Sequence, residues 1–191
     1  SLTPLRIYFL GCGADQQARH KRRNDRFMAE VAQLRCSVCG ELYSPDDIEY
    51  TCPVDGQVGT LDVLYDYASL RWKIDRDAPR EGRSMWRWRD LLPISDEAAV
   101  PPLRVGDTPL YDAPRLAAEI GIRGAWVKDD GLNPTGSLKD RASALVVARA
   151  AEAGIEIVST ASTGNAAAAL AGIAASIGMK TIIFVPAAAP E

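Results

Sequence analysis

Asp129-Asp130-Gly131-Leu132-Asn133-Pro134-Thr135-Gly136-Ser137-Leu138-Lys139-Asp140-Arg141 is the stretch on which the reading of this chain turns. It follows a short apolar run, Ala125-Trp126-Val127, that reads as a buried strand. It precedes a helical pattern whose apolar positions are Leu145, Val146 and Ala150. Asn133-Pro134 starts a turn, Gly136 allows a backbone conformation that a side chain would oppose, and Ser137 is a good helix cap. Lys139 therefore falls in the first helical turn, where the helix dipole disfavours a cation by about 0.3–1 kcal/mol. That position suits a lysine wanted as a neutral amine, as one that attacks a carbonyl must be. The alternative is a surface lysine paired with Asp140 or Asp130, and spacing alone leaves the two balanced.

Outward from this loop, strands and helices alternate. Pro114 through Ile120 reads as a short helix begun by Pro114 and ended at Gly121. The lysine helix runs to about Ala153 and stops at Gly154, and Ile155 to Thr160 is an apolar strand. An alanine-rich helix reaches about Ile177, with Gly178 at its end, and Thr181 to Val185 is a strand closed by Pro186. Continuous apolar strands separated by helices predict an α/β fold with a parallel sheet covered by helices on both faces.

Between the Ile155 strand and the next helix lies Ala161-Ser162-Thr163-Gly164-Asn165. A loop at the carboxyl end of a parallel strand, opening into a helix N-terminus, presents N–H groups to an anion. Ser162 and Thr163 add hydroxyls, Gly164 allows close approach, and Asn165 offers an amide donor. Alone, the loop is more simply an N-cap with a glycine turn. Lys139 and Asn165, however, both begin helices expected to follow strands of one sheet, so both are expected to face one cleft.

Toward the N-terminus, Cys36-x-x-Cys39 and Cys52-Pro53-Val54-Asp55-Gly56, followed by the alternating Leu61 to Tyr65, have the layout of a zinc ribbon. Asp55 stands in the fourth ligand position, where a thiolate or imidazole is usual. The expectation is a ribbon without metal, with Cys36, Cys39 and Cys52 as weak candidate ligands and Cys12 a distant fourth. The expected divisions are an arm over 1–34, a zinc-ribbon-like module over 35–67, a connector over 68–104 and the first part of an α/β domain over 105–191.

The 191 residues carry 47% hydrophobic side chains and a net charge of −3, so they can build a core and show no bias toward nucleic acid or membrane. Ile7 to Leu10 is too short for a signal-peptide core. A C-x-x-C pair suits a reducing compartment, and a cytoplasmic location is expected. The one histidine, His20, sits in the basic run Arg19 to Arg23, read as a solvated face or an arm.

Asn133 to Arg141 resembles the lysine motif of pyridoxal-phosphate enzymes of the tryptophan synthase β type, or fold type II, and is most similar to that of the threonine synthases. Leu138 departs from it, standing where an aromatic is usual. The ribbon and Met85-Trp86-Arg87-Trp88-Arg89 resemble segments that precede the catalytic region there. The resemblance implies that Lys139 carries pyridoxal 5'-phosphate as a Schiff base and then moves protons on the substrate. It further implies that Ser162, Thr163, Gly164 and Asn165 hold the substrate α-carboxylate, with Asn165 also contacting the phenolic oxygen of the cofactor. The implied activity is that of a lyase of threonine biosynthesis, converting O-phosphohomoserine and water to threonine and phosphate. Cysteine synthases, threonine or serine dehydratases, and a non-catalytic interaction module are the alternatives. No glycine-rich phosphate cradle follows Lys139, so the chain is expected to be an N-terminal portion, inactive alone, that works as a homo-oligomer such as a dimer or with its C-terminal half.

Overall fold

A computed structural model describes residues 31–48, 50–73, 82, 84–95 and 98–187. Cys12, His20 and the rest of the arm up to residue 30 lie outside the described residues. The chain divides into two compact units, residues 1–64 and 65–191.

In the first unit, strands β1 (Val31–Cys36), β2 (Leu42–Tyr43) and β3 (Leu61–Tyr65) form a sheet in the order β2-β1-β3. β1 and β2 are antiparallel, with Leu34 opposite Tyr43. The module thus begins within the stretch read as an arm. Two turns of the same construction follow β1 and precede β3. In one, Gly40 N–H donates to Cys36 C=O at 3.1 Å, and in the other Gly56 N–H donates to Cys52 C=O at 2.8 Å. Each closing glycine has positive φ, +76° at Gly40 and +60° at Gly56, a conformation that a side chain disfavours. Cys39 and Asp55 occupy the equivalent fourth position of the two turns.

The second unit opens with α1 (Tyr67–Lys73), capped by Asp66, whose carboxylate accepts from Ala68 N and Ser69 N at 3.0 and 3.2 Å. A 3-10 segment, Met85–Leu91, is kinked at Trp88, with the Arg87 guanidinium 5.4 Å from the Trp88 ring centre. Met85 N–H donates to Val105 C=O at 2.6 Å, and Trp86 packs on the core, so this segment anchors by packing. Next come β4 (Leu110–Asp112), α2 (Pro114–Ile120) and β5 (Trp126–Lys128). Pro114 begins α2 and Gly121, at φ +72°, ends it, as punctuation by these two residues predicts.

The strand before the lysine loop departs from expectation. All three residues of β5 are exposed, and β5 pairs antiparallel with β4, Tyr111 lying opposite Val127. Among the described residues it therefore belongs to a separate two-stranded sheet, and the premise that Lys139 and Asn165 follow strands of one sheet is corrected. Three residues carry too little periodicity to name their partner.

α3 (Lys139–Glu152) starts at the expected residue. Its buried face is Asp140, Ser143, Ala144, Val147, Ala148 and Ala150, whereas Val146 is half exposed. Of the apolar positions read from the sequence, Ala150 is buried and Leu145 packs on the core, while Val146 faces outward. The reason is the partner: α4 (Asn165–Ala175) packs Leu170, Ile173 and Ala174 against Ala144 and Val147, and small side chains let the two helices approach.

β6 (Ile157–Ala161), α4 and β7 (Lys180–Phe184) form a parallel crossover unit with Val158 opposite Thr181. Val158 is the buried residue of β6, while Ile157, Ile182, Ile183 and Phe184 are exposed. The α/β character and a parallel strand pair are present. Cover on both faces is not seen among the described residues: Val158 shares one core with α3 and α4, while the other apolar side chains of the two strands stay exposed.

Candidate active site around Lys139

The lysine loop is built as a chain of local hydrogen bonds. Asp129 caps a short 3-10 turn over Asp130–Leu132, accepting from Gly131 N at 3.1 Å. Asn133 is 5% exposed; its side-chain amide donates to Asp130 C=O at 3.0 Å, and its Oδ1 accepts from Gly106 N at 2.9 Å. Gly136 N–H then closes a turn on Asn133 C=O at 2.9 Å, at φ +80°. Leu138 rather than Ser137 takes the cap position of α3, and the buried Ser137 hydroxyl accepts from Lys139 N at 3.3 Å.

Both acids that could have paired with Lys139 are committed elsewhere. Asp140 is fully buried and accepts from Thr135 N at 2.7 Å and from the Thr135 hydroxyl. Asp130 accepts from Arg141 Nε at 2.8 Å and Nη2 at 2.7 Å, and from the Thr108 hydroxyl at 2.6 Å. The Arg141 guanidinium beside it, with help from Thr108, holds the Asp130 carboxyl well below the usual carboxylate range. Lys139 is exposed, and among the described residues its amine has no hydrogen-bond or ion-pair partner. The pairing with Asp140 or Asp130 that spacing left open is therefore not made. Lys128, by contrast, donates to Thr108 C=O.

These contacts were not read from the sequence. Asp130 and Arg141 stand eleven residues apart, and the pair reaches Thr108 as well, with Arg141 Nη2 donating to its hydroxyl at 3.3 Å. The signal available was the density of charge and turn residues within one loop, which does not say which charges meet.

The second constellation sits where β6 gives way to α4. Ser162 is half-buried and accepts from Gly164 N at 3.2 Å, while Thr163, Gly164 and Asn165 are exposed. No side chain caps α4, and among the described residues the N–H groups of Asn165 and Ala166 have no partner. A Cβ at Gly164 would meet nothing within 4 Å, so the approach to these donors is open. Ala161, Ser162 and Thr163 line one side of a depression of about 440 Å³, and Phe184, Val185 and Pro186 line the other. Lys139 does not line it. The lysine loop meets α4 further along, where a Cβ on Gly172 would lie 2.8 Å from Thr135 Cγ2. Seven residues of helix, about 10 Å, separate that contact from Asn165. The structure thus brings the loop and the helix together through Thr135 and Gly172.

Residues 102–191 match the family described as pyridoxal-phosphate dependent enzymes. The chain is 42% identical over 153 residues to a threonine synthase of Methanocaldococcus jannaschii, covering 80% of this chain and 37% of that protein. It is 44% identical over 155 residues to a threonine synthase of Methanosarcina acetivorans, covering 81% and 37% respectively. A Synechocystis threonine synthase matches at 43% over 115 residues, 56% of this chain and 30% of that protein. The chain therefore spans just over a third of the length of the two more extensively matched relatives.

The residues present fit the family's cofactor. Pyridoxal phosphate carries an aldehyde, a phenolic oxygen and a phosphate, and asks for an unpaired primary amine and for neutral donors. An exposed amine at Lys139 suits the aldehyde and the exposed Asn165 amide suits the phenolic oxygen.

Proposed function

We propose, because residues 102–191 match the family described as pyridoxal-phosphate dependent enzymes, that this chain supplies the cofactor-bearing lysine and the substrate-carboxylate loop of a threonine synthase. The net reaction is conversion of O-phosphohomoserine and water to threonine and phosphate. A proton leaves the α-carbon and is later returned to it, a proton leaves the β-carbon and one is added at the γ-carbon, the bond from the γ-carbon to the phosphate oxygen breaks, and water delivers hydroxyl to the β-carbon while its remaining proton goes to the released phosphate.

When bound, pyridoxal phosphate supplies the electron sink that stabilises negative charge on the substrate carbons. Lys139 Nζ would hold it covalently, and the same amine would be the group that accepts a proton from the substrate α-carbon and returns it. The open N–H groups of Asn165 and Ala166, at the positive end of an eleven-residue helix, hold the substrate carboxylate with the Ser162 and Thr163 hydroxyls. Asn165 would donate its amide to the phenolic oxygen. Arg141, Asp130 and Asn133 take no part in the chemistry; they fix the loop so that Lys139 is presented rather than paired.

The observation that carries this reading is the unpartnered Lys139 amine between two acids that are both otherwise engaged. Borohydride reduction of the full-length protein with pyridoxal phosphate, followed by peptide mapping, tests it. Label on the Lys139 peptide is expected, and label on Lys128 or Lys180 would sink the assignment.

A further inference from the structure

The first unit contains a side-chain cluster that the lysine chemistry does not use. One ligand atom from each of Cys36, Cys39, Cys52 and Asp55 lies within 4.8 Å of all the others. We propose that these four side chains form a structural zinc site. A carboxylate in the fourth place made a metal-free ribbon the expectation from sequence, and three structural features weigh the other way.

The first is distance. In a tetrahedral site with Zn–S of about 2.3 Å and Zn–O of about 2.0 Å, neighbouring sulfurs sit about 3.8 Å apart and a sulfur and oxygen about 3.5 Å apart. Cys39 Sγ and Cys52 Sγ are 3.7 Å apart, and Cys36 Sγ and Asp55 Oδ2 are 3.2 Å apart. The second is the matched pair of turns. Each offers its first and fourth side chains and closes with a positive-φ glycine, so Asp55 is aimed as Cys39 is. Around them, Val38 N–H donates to Cys36 Sγ at 3.4 Å, and the Tyr43 hydroxyl lies 3.1 Å from Cys52 Sγ, where it can donate to a thiolate. Gly59 leaves no room for drift, since a Cβ there would fall 2.6 Å from Cys52 Cβ and 2.8 Å from Asp55 Cβ.

The third feature is the poverty of the core. Among the described residues of this unit, the buried apolar side chains are Val31, Leu34, Cys36 and Cys52. Two of the four are proposed ligands. Modules this small usually need a metal or a cross-link to hold a unique fold. Three thiolates and one carboxylate form a borderline-soft set that suits Zn²⁺ and not Mg²⁺ or Ca²⁺.

The test uses the full-length protein, produced with zinc in the medium and purified without chelator. Elemental analysis should find about one zinc per chain. Replacement by Co²⁺ should give the intense visible bands of a tetrahedral site with sulfur-to-cobalt charge transfer. Cys39→Ser should weaken zinc binding at least roughly tenfold, and Tyr43→Phe should also weaken it, both on the scale set by losing ligand support. Asp55→Cys, which completes a four-sulfur set, should keep the zinc and intensify the charge-transfer band. A folded protein that retains no zinc and leaves Co²⁺ with the pale spectrum of its hydrated ion overturns the proposal. So does zinc that survives Cys39→Ser with unchanged affinity.

Discussion

Arg141 grips Asp130 at two points, Nε to Oδ2 at 2.8 Å and Nη2 to Oδ1 at 2.7 Å, and so ties the first turn of α3 back to the loop that precedes it. The pair is partly shielded, with side-chain exposures of 34% and 20%. A two-point charged contact of this kind is worth about 1–2 kcal/mol, above an open surface pair and below a dry one.

Asp130→Asn is therefore expected to lower the stability of the intact protein by that amount at neutral pH. The Asp130 carboxyl is depressed below its ordinary value, so its contribution is fully present above the unfolded pKa of about 3.9 and is lost as pH falls through the folded value. Thermal midpoints measured from pH 7 downward should converge for parent and variant only below about pH 4.

Lys139→Ala should abolish covalent retention of the cofactor and lower turnover of O-phosphohomoserine by at least about 10²–10⁴-fold. The residue is exposed and unpartnered among the described residues, so the thermal midpoint without cofactor should scarcely move. Phosphate release and a melting curve on the same preparation make the comparison. A variant that melts early and fails to bind would point to a structural lysine.

Asn165→Ala should reduce kcat/KM by roughly 10²-fold, the usual cost of removing one positioned donor. The visible absorbance of the bound cofactor should shift as well, because a donor to its phenolic oxygen is gone. Asn165 is exposed at the first position of α4, so little stability is at stake.

Gly172→Ala places a methyl 2.8 Å from Thr135 Cγ2, and Thr135 is held on the other side by Asp140. Overpacking there costs about 1–3 kcal/mol, against a gain of about 1 kcal/mol in helix propensity. The net expectation is a destabilised lysine loop. Thr135→Ser removes the colliding methyl and keeps the hydroxyl, so the double variant should recover stability beyond the sum of the singles.

Much of the scaffold was legible because punctuation residues act alone. Pro114 and Gly121 bound α2, Gly136 takes its left-handed turn, and Lys139 opens α3, each through a local backbone preference. What could not be read depended on partners distant in sequence. Val146 faces outward because alanines of α3 meet α4, and β5 joins β4 because three exposed residues encode no choice of sheet. The commitment of Asp130 to Arg141, on which the freedom of Lys139 depends, is likewise a fact of the folded loop. In the first unit, spacing pointed to the turns and to Cys36, Cys39, Cys52 and Asp55, but the distances between them belong to the structure.

The crossover formed by β6, α4 and β7 bears on the order in which this unit assembles. Ile157 to Phe184 is a continuous stretch in which α4 packs on both strands, so its loops close early and at little entropic cost. The clasp of Thr108 to Asp130 and Arg141 draws on a segment outside that stretch and is expected to form later. Truncating Ile173, at the centre of the crossover, should slow refolding, whereas Asp130→Asn should chiefly hasten unfolding. The region that presents Lys139 would then be completed last and opened first, on a scaffold that is already in place.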